Sequence, residues 1–199
     1  MAFTEWNLTW FRAVNNIGKE YEFLNPVFIF FADYMVYLLA ISLLVIWFSR
    51  TYQNRMMVIH ASLAFVFAEV VGKIAGLFYS NNQPFAELAH VNKLIVKAVN
   101  NSFPSDHTIL FFSFCFSFWL VRKKTGTLWM LIALCVGISR IGVGVHYPFD
   151  IIGGAAIGML SAFAAYLLVP RIRLIRKWLA IYEKVEQMVL PIKGQSKNI

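Results

Sequence analysis

Five long apolar runs restrict what this chain can fold into. They cover approximately residues 26–48, 56–78, 108–121, 127–144 and 151–169. About 20 mainly apolar residues in a helix cross the roughly 30 Å hydrocarbon core of a bilayer. Of the 199 residues, 59% are hydrophobic and only 14% are charged, which indicates an integral membrane protein and not a soluble domain. The sequence therefore predicts an all-α, polytopic transmembrane helical bundle of about five spans.

The chain is expected to form one membrane domain. Because no repeat or long linker divides residues 1–199, we expect a core over about 26–169 and a basic tail over 170–199. The tail alternates basic clusters with apolar residues, and is expected to continue the last span or to bend onto the inner leaflet as an anchor. The first span starts only after several charged residues, so it is expected to act as an uncleaved anchor.

Two segments outside the spans also have recognisable patterns. Residues 3–17 mix aromatic with polar side chains, which indicates an amphipathic helix that lies in the membrane interface or packs on the bundle. Residues 79–106 form the longest polar insertion. This insertion is expected to be a lid or substrate-binding loop, with a short helix over 88–99.

The basic residues predict the orientation in the membrane. Twelve of the eighteen Lys and Arg residues fall on one side of a five-span arrangement: Arg50, Arg55, Arg122, Lys123, Lys124, Arg171, Arg173, Arg176, Lys177, Lys184, Lys193 and Lys197. Since basic flanks stay in the cytoplasm, the tail is expected inside and the N-terminus outside. The net charge of +8 is then explained by topology and contact with anionic headgroups, so nucleic acid is not an expected partner. Cys115 and Cys135 are expected to serve as small apolar groups within spans.

Two polar islands, 104–107 and 139–150, interrupt the apolar pattern. His107 and His146 are separated by 39 residues, and a helical hairpin of that length returns both histidines to the same face of the membrane. Lys73, near the end of the second span, reaches the same level. Ionisable groups at membrane depth cost several kcal/mol unless they face a polar cavity. We therefore expect Lys73 in a functional site, with Glu69 and Asp33 as structural partners of nearby cations.

The histidines and Asp150 suit chemistry on a phosphate ester or anhydride. Asp150, four residues after His146, can accept one imidazole N–H and leave the other nitrogen free to attack phosphorus. His107 can supply a proton to the leaving oxygen. His60 and His90 have no such neighbours, so His60 is expected to be structural and His90 to belong to the lid.

The same face carries groups that suit phosphate binding. Arg140 offers a bidentate fork to phosphoryl oxygens, and Lys73 would add a second positive charge. Ser105 is expected to be the N-cap of the third span and to place free helix N–H groups against the anion. Because these cations disfavour a divalent metal ion, a metal site is the less favoured alternative.

These motifs resemble the signatures of the type 2 phosphatidic acid phosphatase superfamily. The run Ser139-Arg140, five residues, His146, three residues and Asp150 is similar to its third signature, and Pro104-Ser105-Asp106-His107 is similar to its second, Pro-Ser-Gly-His. The resemblance implies an acid-phosphatase-like helical fold and a phosphohistidine formed on His146. It also implies support from Asp150, proton donation by His107, substrate contacts from Ser139, Arg140 and Ser105, and no required metal or other cofactor.

Two positions depart from the family pattern. Asp106 replaces the family's glycine, and a carboxylate beside a phosphate repels it unless the carboxylate is paired with a cation. In the first signature, nine residues separate Lys73 from Gln83-Pro84, where the family has Arg-Pro. Gln83 can still donate hydrogen bonds to substrate without a charge. The missing cation is left open between Lys93 and Lys97.

The departures themselves resemble the bacterial undecaprenyl-diphosphate phosphatases associated with bacitracin resistance. That resemblance implies hydrolysis of an isoprenyl diphosphate lipid at the outer face of the plasma membrane, with membrane lipids as the other partners. A phosphatidylglycerophosphate or phosphatidic acid phosphatase would use the same residues. A lipid-phosphate binding or transport protein without turnover is the non-enzymatic alternative, and the oligomeric state is left open.

Overall fold

The secondary structure of the described residues is entirely helical. The computed structural model describes residues 2–190, with side chains from Glu5 onward, so Lys193 and Lys197 lie outside the described residues. The α-helices are α1 (Ala2–Glu20), α2 (Asn25–Ile29), α3 (Met35–Phe48), α4 (Tyr52–Phe78), α5 (Pro84–Glu87), α6 (Asp106–Val121), α7 (Lys123–Gly142), α8 (Pro148–Leu168) and α9 (Arg173–Val189). The predicted all-α class is confirmed.

All five apolar runs form helices. Four are long and apolar enough to cross a membrane: Glu22–Phe48, Tyr52–Phe78, Lys123–Gly142 and Pro148–Arg171. The run corresponding to the predicted short third span forms α6, which has 16 residues. The first span is one helical rod made of α2, a π-helical segment over Phe30–Tyr34 and α3. A π-helical turn often accompanies a functional site, and here it carries Asp33.

The short helix α6 is the centre of the bundle and packs against α4, α7 and α8. It approaches α8 closely because that helix presents glycine. A Cβ on Gly158 would lie 3.0 Å from the carbonyl oxygen of Ile109, and a Cβ on Gly154 would lie 3.0 Å from that of Ser105. Small residues of this kind let transmembrane helices come together. The start of α6 is thereby held against the first turns of α8.

The N-terminal helix α1 packs on α7, on α8 and on the loop that contains Asn92. Asn15 is fully buried, and its amide nitrogen donates to the carbonyls of Ile141, Gly142 and Asn92. Its amide oxygen accepts a hydrogen bond from the backbone N–H of Asn92 over 2.9 Å. Trp10 on the same helix remains 54% exposed. The predicted amphipathic helix is thus present, and one of its faces is part of the core.

The predicted helix over 88–99 is wrong. Only the single turn of α5 is helical, and the chain from residue 88 to residue 105 is irregular. Backbone groups there bond to partners distant in sequence: Leu94 N–H donates to the Val143 carbonyl, and Asn92 is bound by Asn15. His90 has a left-handed φ of 55°, which interrupts a helix.

The helix α9 folds back onto the end of the bundle opposite the polar islands. A 3₁₀ turn over Val169–Arg171 separates it from α8, and Leu179 on α9 is buried. The guanidinium of Arg55 lies 2.5 Å from Glu186 and 3.4 Å from Glu183. The tail therefore bends back and does not continue the last span straight.

Candidate active site

His146 lies in the short loop between α7 and α8 and is only 2% exposed. Gly144, two residues earlier, has a φ of +82°, and a Cβ there would lie 2.8 Å from the Asn92 carbonyl oxygen. This position needs glycine for both its backbone conformation and its close approach to the neighbouring loop. The turn directs the His146 ring into the protein.

Asp150 is in the first turn of α8 and holds one side of the His146 ring. Its Oδ2 accepts hydrogen bonds from the Ser102 hydroxyl (2.5 Å) and the Tyr147 N–H (2.8 Å) and lies 3.5 Å from His146 Nδ1. The Ser102 hydroxyl is 3.2 Å from the same ring nitrogen. These acceptors at Nδ1 favour the tautomer with the proton on Nδ1, which leaves a lone pair on Nε2.

A lysine faces that lone pair. Lys97 Nζ lies 3.0 Å from His146 Nε2, and because an ammonium only donates, Nε2 must accept. Burial, together with the cations Lys97 and Arg140, lowers the pKa of His146 to about 4, although the hydrogen bond to Asp150 opposes the shift. The ring is therefore neutral near pH 7. Burial also lowers the pKa of Lys97, to about 8, which leaves most of it charged at neutral pH.

Lys93 is directed elsewhere. Its ammonium lies 3.7 Å from the centre of the Phe85 ring and donates to the carbonyl of Lys97 over 3.4 Å. Of the two lysines that the sequence left as alternatives, Lys97 is the one in contact with His146.

Arg140 is near the end of α7 and is 2% exposed. One of its terminal nitrogens donates to the Ala32 carbonyl (3.0 Å) and lies 3.5 Å from Asp33 Oδ1, which agrees with the predicted structural role of Asp33. The Nε atom of Arg140 is buried without a hydrogen-bond partner. The neighbouring Ser139 is also buried, and its hydroxyl donates to the Val136 carbonyl within α7.

The polar island over residues 104–107 lies at the start of α6. His107 is half-buried in the first turn of this helix. Ser105 occupies the predicted N-cap position and its backbone N–H donates to the Asp150 carbonyl (3.2 Å). Its hydroxyl makes no capping hydrogen bond and is buried without a partner.

Lys73 and Asp106 line a cavity of about 330 Å³ that does not include His146. The cavity lies between the end of α4 and residues 101–106, and both charged residues are exposed to it or to solvent. Glu69 interacts electrostatically with both of them, but no ion pair within 4 Å joins Glu69 to Lys73. Its Oε1 is buried without a hydrogen-bond partner.

Gln83 is fully buried, and its amide binds the loop. The Gln83 oxygen accepts from the N–H of Asn100 over 3.0 Å, and its nitrogen donates to the Asn100 side chain. Both ends of the amide therefore hold the segment that leads to Ser102.

The other two histidines lie outside this constellation. His60 is buried on α4 against the ring of Tyr166. His90 is in the loop, where its carbonyl accepts hydrogen bonds from Arg12 and Lys19.

One residue of the site, Ser102, was not assigned from sequence, and Lys97 was named there only as an alternative to Lys93. Ser102 follows Asn100 and Asn101, shortly before the polar island 104–107. This polar run was the sequence signal that could have pointed to Ser102.

The helical bundle with two histidines, an aspartate and cations at one end defines a membrane phosphatase of the PAP2 superfamily, and the chain belongs to this family. Residues 57–174 match the PAP2 superfamily model. Over 198 residues the chain is 54% identical to the bacitracin transport permease protein BcrC of Bacillus licheniformis, covering 100% of this chain and 98% of the relative. It is 30% identical to the undecaprenyl-diphosphatase BcrC of Bacillus subtilis (strain 168), covering 88% of this chain and 91% of the relative.

A solved structure shares the fold. The crystal structure of Aquifex aeolicus LpxE superposes with a TM-score of 0.66 and 27% sequence identity, covering 79% of this chain and 93% of LpxE. The family expected from the sequence is confirmed.

Proposed function

We propose that this protein hydrolyses undecaprenyl diphosphate to undecaprenyl phosphate and inorganic phosphate through a phosphohistidine on His146. The observation that carries the proposal is the position of the His146 ring, with Nδ1 facing Asp150 and Ser102 and Nε2 facing a cation. The Bacillus subtilis relative, named an undecaprenyl-diphosphatase, supports the choice of substrate.

The first step forms a bond between His146 Nε2 and the terminal phosphorus. The bond from that phosphorus to the bridging oxygen breaks, and the oxygen leaves on the lipid monophosphate. His107 gives this oxygen a proton, while Asp150 stabilises the positive charge that develops on the His146 ring. The position of His107 supports this assignment, because it lies in the first turn of α6, whose start is joined to Asp150 by the Ser105 N–H.

The second step releases inorganic phosphate. His107, now neutral, accepts a proton from a water molecule, whose oxygen attacks the phosphorus of phosphohistidine. The bond between phosphorus and Nε2 breaks, and the neutral His146 is restored. No step in this scheme requires a metal ion or other cofactor, and the cations around Nε2 would repel a divalent metal.

The remaining polar groups are proposed to bind the substrate. Arg140, with its buried Nε atom without a partner, is assigned to the phosphoryl group that is attacked. The hydroxyl of Ser105 and the start of α6 face the same anion. Ser139 and Gln83 are assigned indirect supporting roles, because their side chains bond to Val136 and Asn100 behind the site. Lys73 is assigned to the phosphate that remains on the lipid, in the cavity that it lines with Asp106.

The site is proposed to face the outside of the bacterial plasma membrane, with the C-terminus in the cytoplasm. Basic residues support this orientation, because Arg122, Lys123 and Lys124 lie between α6 and α7, at the opposite end of these helices from the histidines. The protein would then recycle the lipid carrier where cell-wall polymerisation releases it. We extend the proposal to bacitracin resistance, to which the name of the Bacillus licheniformis relative points.

Phosphate release by the detergent-purified protein tests the proposal. Undecaprenyl diphosphate, phosphatidic acid and phosphatidylglycerophosphate are compared in EDTA, with wild type beside His146→Ala. Rapid release from the isoprenoid that depends on His146 is expected. Preference for a glycerolipid would keep the mechanism and replace the substrate, and no release from any lipid would favour binding or transport. Bacitracin susceptibility of cells that express either form tests the cellular role.

A further inference from the structure

A lysine occupies the lone pair of His146 that would attack phosphorus. Lys97 Nζ lies 3.0 Å from His146 Nε2 and can only donate a hydrogen bond there. A nucleophile must approach phosphorus along the axis of this same lone pair, at about 3–3.5 Å before reaction. Lys97 and a phosphoryl group cannot both occupy that position.

We propose that Lys97 covers the nucleophile before the substrate binds and moves onto the arriving phosphoryl group, so that binding of the substrate itself exposes His146 Nε2. This inference rests on the proposed function. It makes Lys97 a catalytic residue that both protects the histidine and neutralises phosphoryl charge. The displaced ammonium needs to move about 3–4 Å to donate to a phosphoryl oxygen bonded to that phosphorus.

The loop is built so that the Lys97 side chain can move while its backbone is held. On one side, Asn15 binds Asn92 and the Leu94 N–H donates to Val143. On the other side, Gln83 binds Asn100. Between these anchors, Lys97 carries a flexible four-carbon stem.

The other lysines near the site lack this geometry. Lys93 lies over the Phe85 ring, and Lys73 lines the separate cavity with Asp106. Arg140 is held at one terminal nitrogen by the Ala32 carbonyl and Asp33. Arg140 therefore suits a fixed phosphate contact, whereas Lys97 suits a mobile one.

The charge on Lys97 depends on pH in the range where the enzyme would work. Burial and the nearby Arg140 together lower its pKa to about 8, while Asp106 and Asp150 oppose the shift. The ionisable groups that face it from the surrounding elements are Arg140 on α7, His146 in the loop, Asp150 on α8, and Asp106 and His107 on α6. Loss of this charge removes the attraction that draws Lys97 onto the phosphate, so turnover should fall as pH rises through about 8.

Chemical labelling of His146 in the absence of substrate tests whether Lys97 covers Nε2. Diethylpyrocarbonate modifies unprotonated imidazole nitrogen, and mass spectrometry of the His146 peptide gives its rate separately from those of the other histidines. At pH 6 we expect Lys97→Met to be labelled at least about tenfold faster than wild type, because Nε2 loses its hydrogen-bonded cover. Lys93→Met should be labelled at the wild-type rate. Labelling of Lys97→Met at the wild-type rate or more slowly would overturn the proposal.

Turnover measurements test whether Lys97 also acts on the phosphoryl group of the substrate. With undecaprenyl diphosphate we expect Lys97→Met to lose about 10²–10³-fold in kcat/KM, and Lys97→Arg to retain activity at pH 9, where wild type declines. Lys124→Met, at the other end of the bundle, is the matched charge control. Wild-type kcat/KM in Lys97→Met would overturn the role of Lys97.

The two experiments also separate this proposal from the proposed function. If the wild type releases no phosphate, the proposed function fails, while the labelling rates still decide whether Lys97 covers His146. Melting temperatures of both Lys97 variants close to that of wild type would show that the variants are folded.

Discussion

The Ser102 hydroxyl donates a hydrogen bond of 2.5 Å to Oδ2 of Asp150, and both side chains are fully buried. Ser102 comes from the irregular loop before α6, and Asp150 from the first turn of α8. The same Asp150 oxygen faces His146, so the loop contributes directly to the orientation of the ring. Oδ1 of Asp150 has no hydrogen-bond partner, which makes the contacts at Oδ2 more important.

Replacing Ser102 should therefore reduce turnover. In Ser102→Ala we expect kcat to fall about 10–100-fold with little change in KM, because Asp150 loses a short hydrogen bond that holds it beside Nδ1. Steady-state phosphate release measures this. Ser42→Ala, whose hydroxyl bonds only within α3, is the control. An unchanged kcat in Ser102→Ala would contradict the role of this contact.

The charge of Asp150 should matter more than its shape. Asp150→Asn retains the size of the side chain but can present an N–H to Nδ1, which favours the wrong tautomer of His146. We expect kcat to fall by about 10³–10⁴-fold, as expected when an imidazole loses the carboxylate that orients it. The measurement is single-turnover formation of phosphohistidine. Phosphorylation at more than a tenth of the wild-type rate, in a variant with the wild-type melting temperature, would count against this role.

The buried His146 should make the fold sensitive to acid. Burial lowers the pKa of His146 to about 4, whereas an unfolded histidine titrates near about 6.5. Between these values the unfolded chain binds a proton that the folded chain does not. Stability is therefore fully present above about pH 6.5 and is lost as pH falls towards 4.

Melting temperatures in detergent between pH 7 and pH 4 test this expectation. The decrease for His146→Gln should be smaller than the decrease for wild type, because the variant lacks this group. Parallel curves for the two proteins would show that His146 is not responsible.

The contact between Arg55 and α9 should stabilise the fold without supporting the chemistry. The Arg55 side chain is 1% exposed and is bound by Glu183, Glu186 and the rings of Trp47 and Tyr182. We expect Arg55→Met to lower Tm by about 3–8 °C, with kcat of the folded protein within about twofold of wild type. Arg173→Met, which changes an exposed residue of α9, should leave Tm unchanged. A loss of kcat at full stability would show coupling between the two ends of the bundle.

Much of the fold could be predicted from the local pattern of apolar residues, but the segment 88–99 could not. The apolar runs indicated five helices, since a chain in hydrocarbon must satisfy its backbone hydrogen bonds within itself. The segment 88–99 was wrongly predicted as a helix. Its composition permits one, but its backbone groups bond to Asn15 and Val143, which are distant in sequence.

In the candidate site, the residues on helices could be predicted from sequence, whereas those in the irregular loop could not. The spacing of His146 and Asp150 places them one helical turn apart, and the 38 residues between the histidines form a hairpin. Local geometry therefore predicted that these groups would meet. Ser102 was missed, and Lys97 could not be distinguished from Lys93, because an irregular loop has no periodicity from which the direction of a side chain can be inferred.

The sequence by itself determined that the chain crosses a membrane several times and carries two histidines, an aspartate and an arginine at one end of its helices. Helix length and hydrophobicity suffice for that conclusion. Only the tertiary structure decided which lysine faces the nucleophile and which hydroxyl supports its aspartate. Those contacts depend on the path of the loop over residues 88–105, and that path is held by hydrogen bonds from Asn15 and Gln83, residues of other segments that meet the loop only after folding.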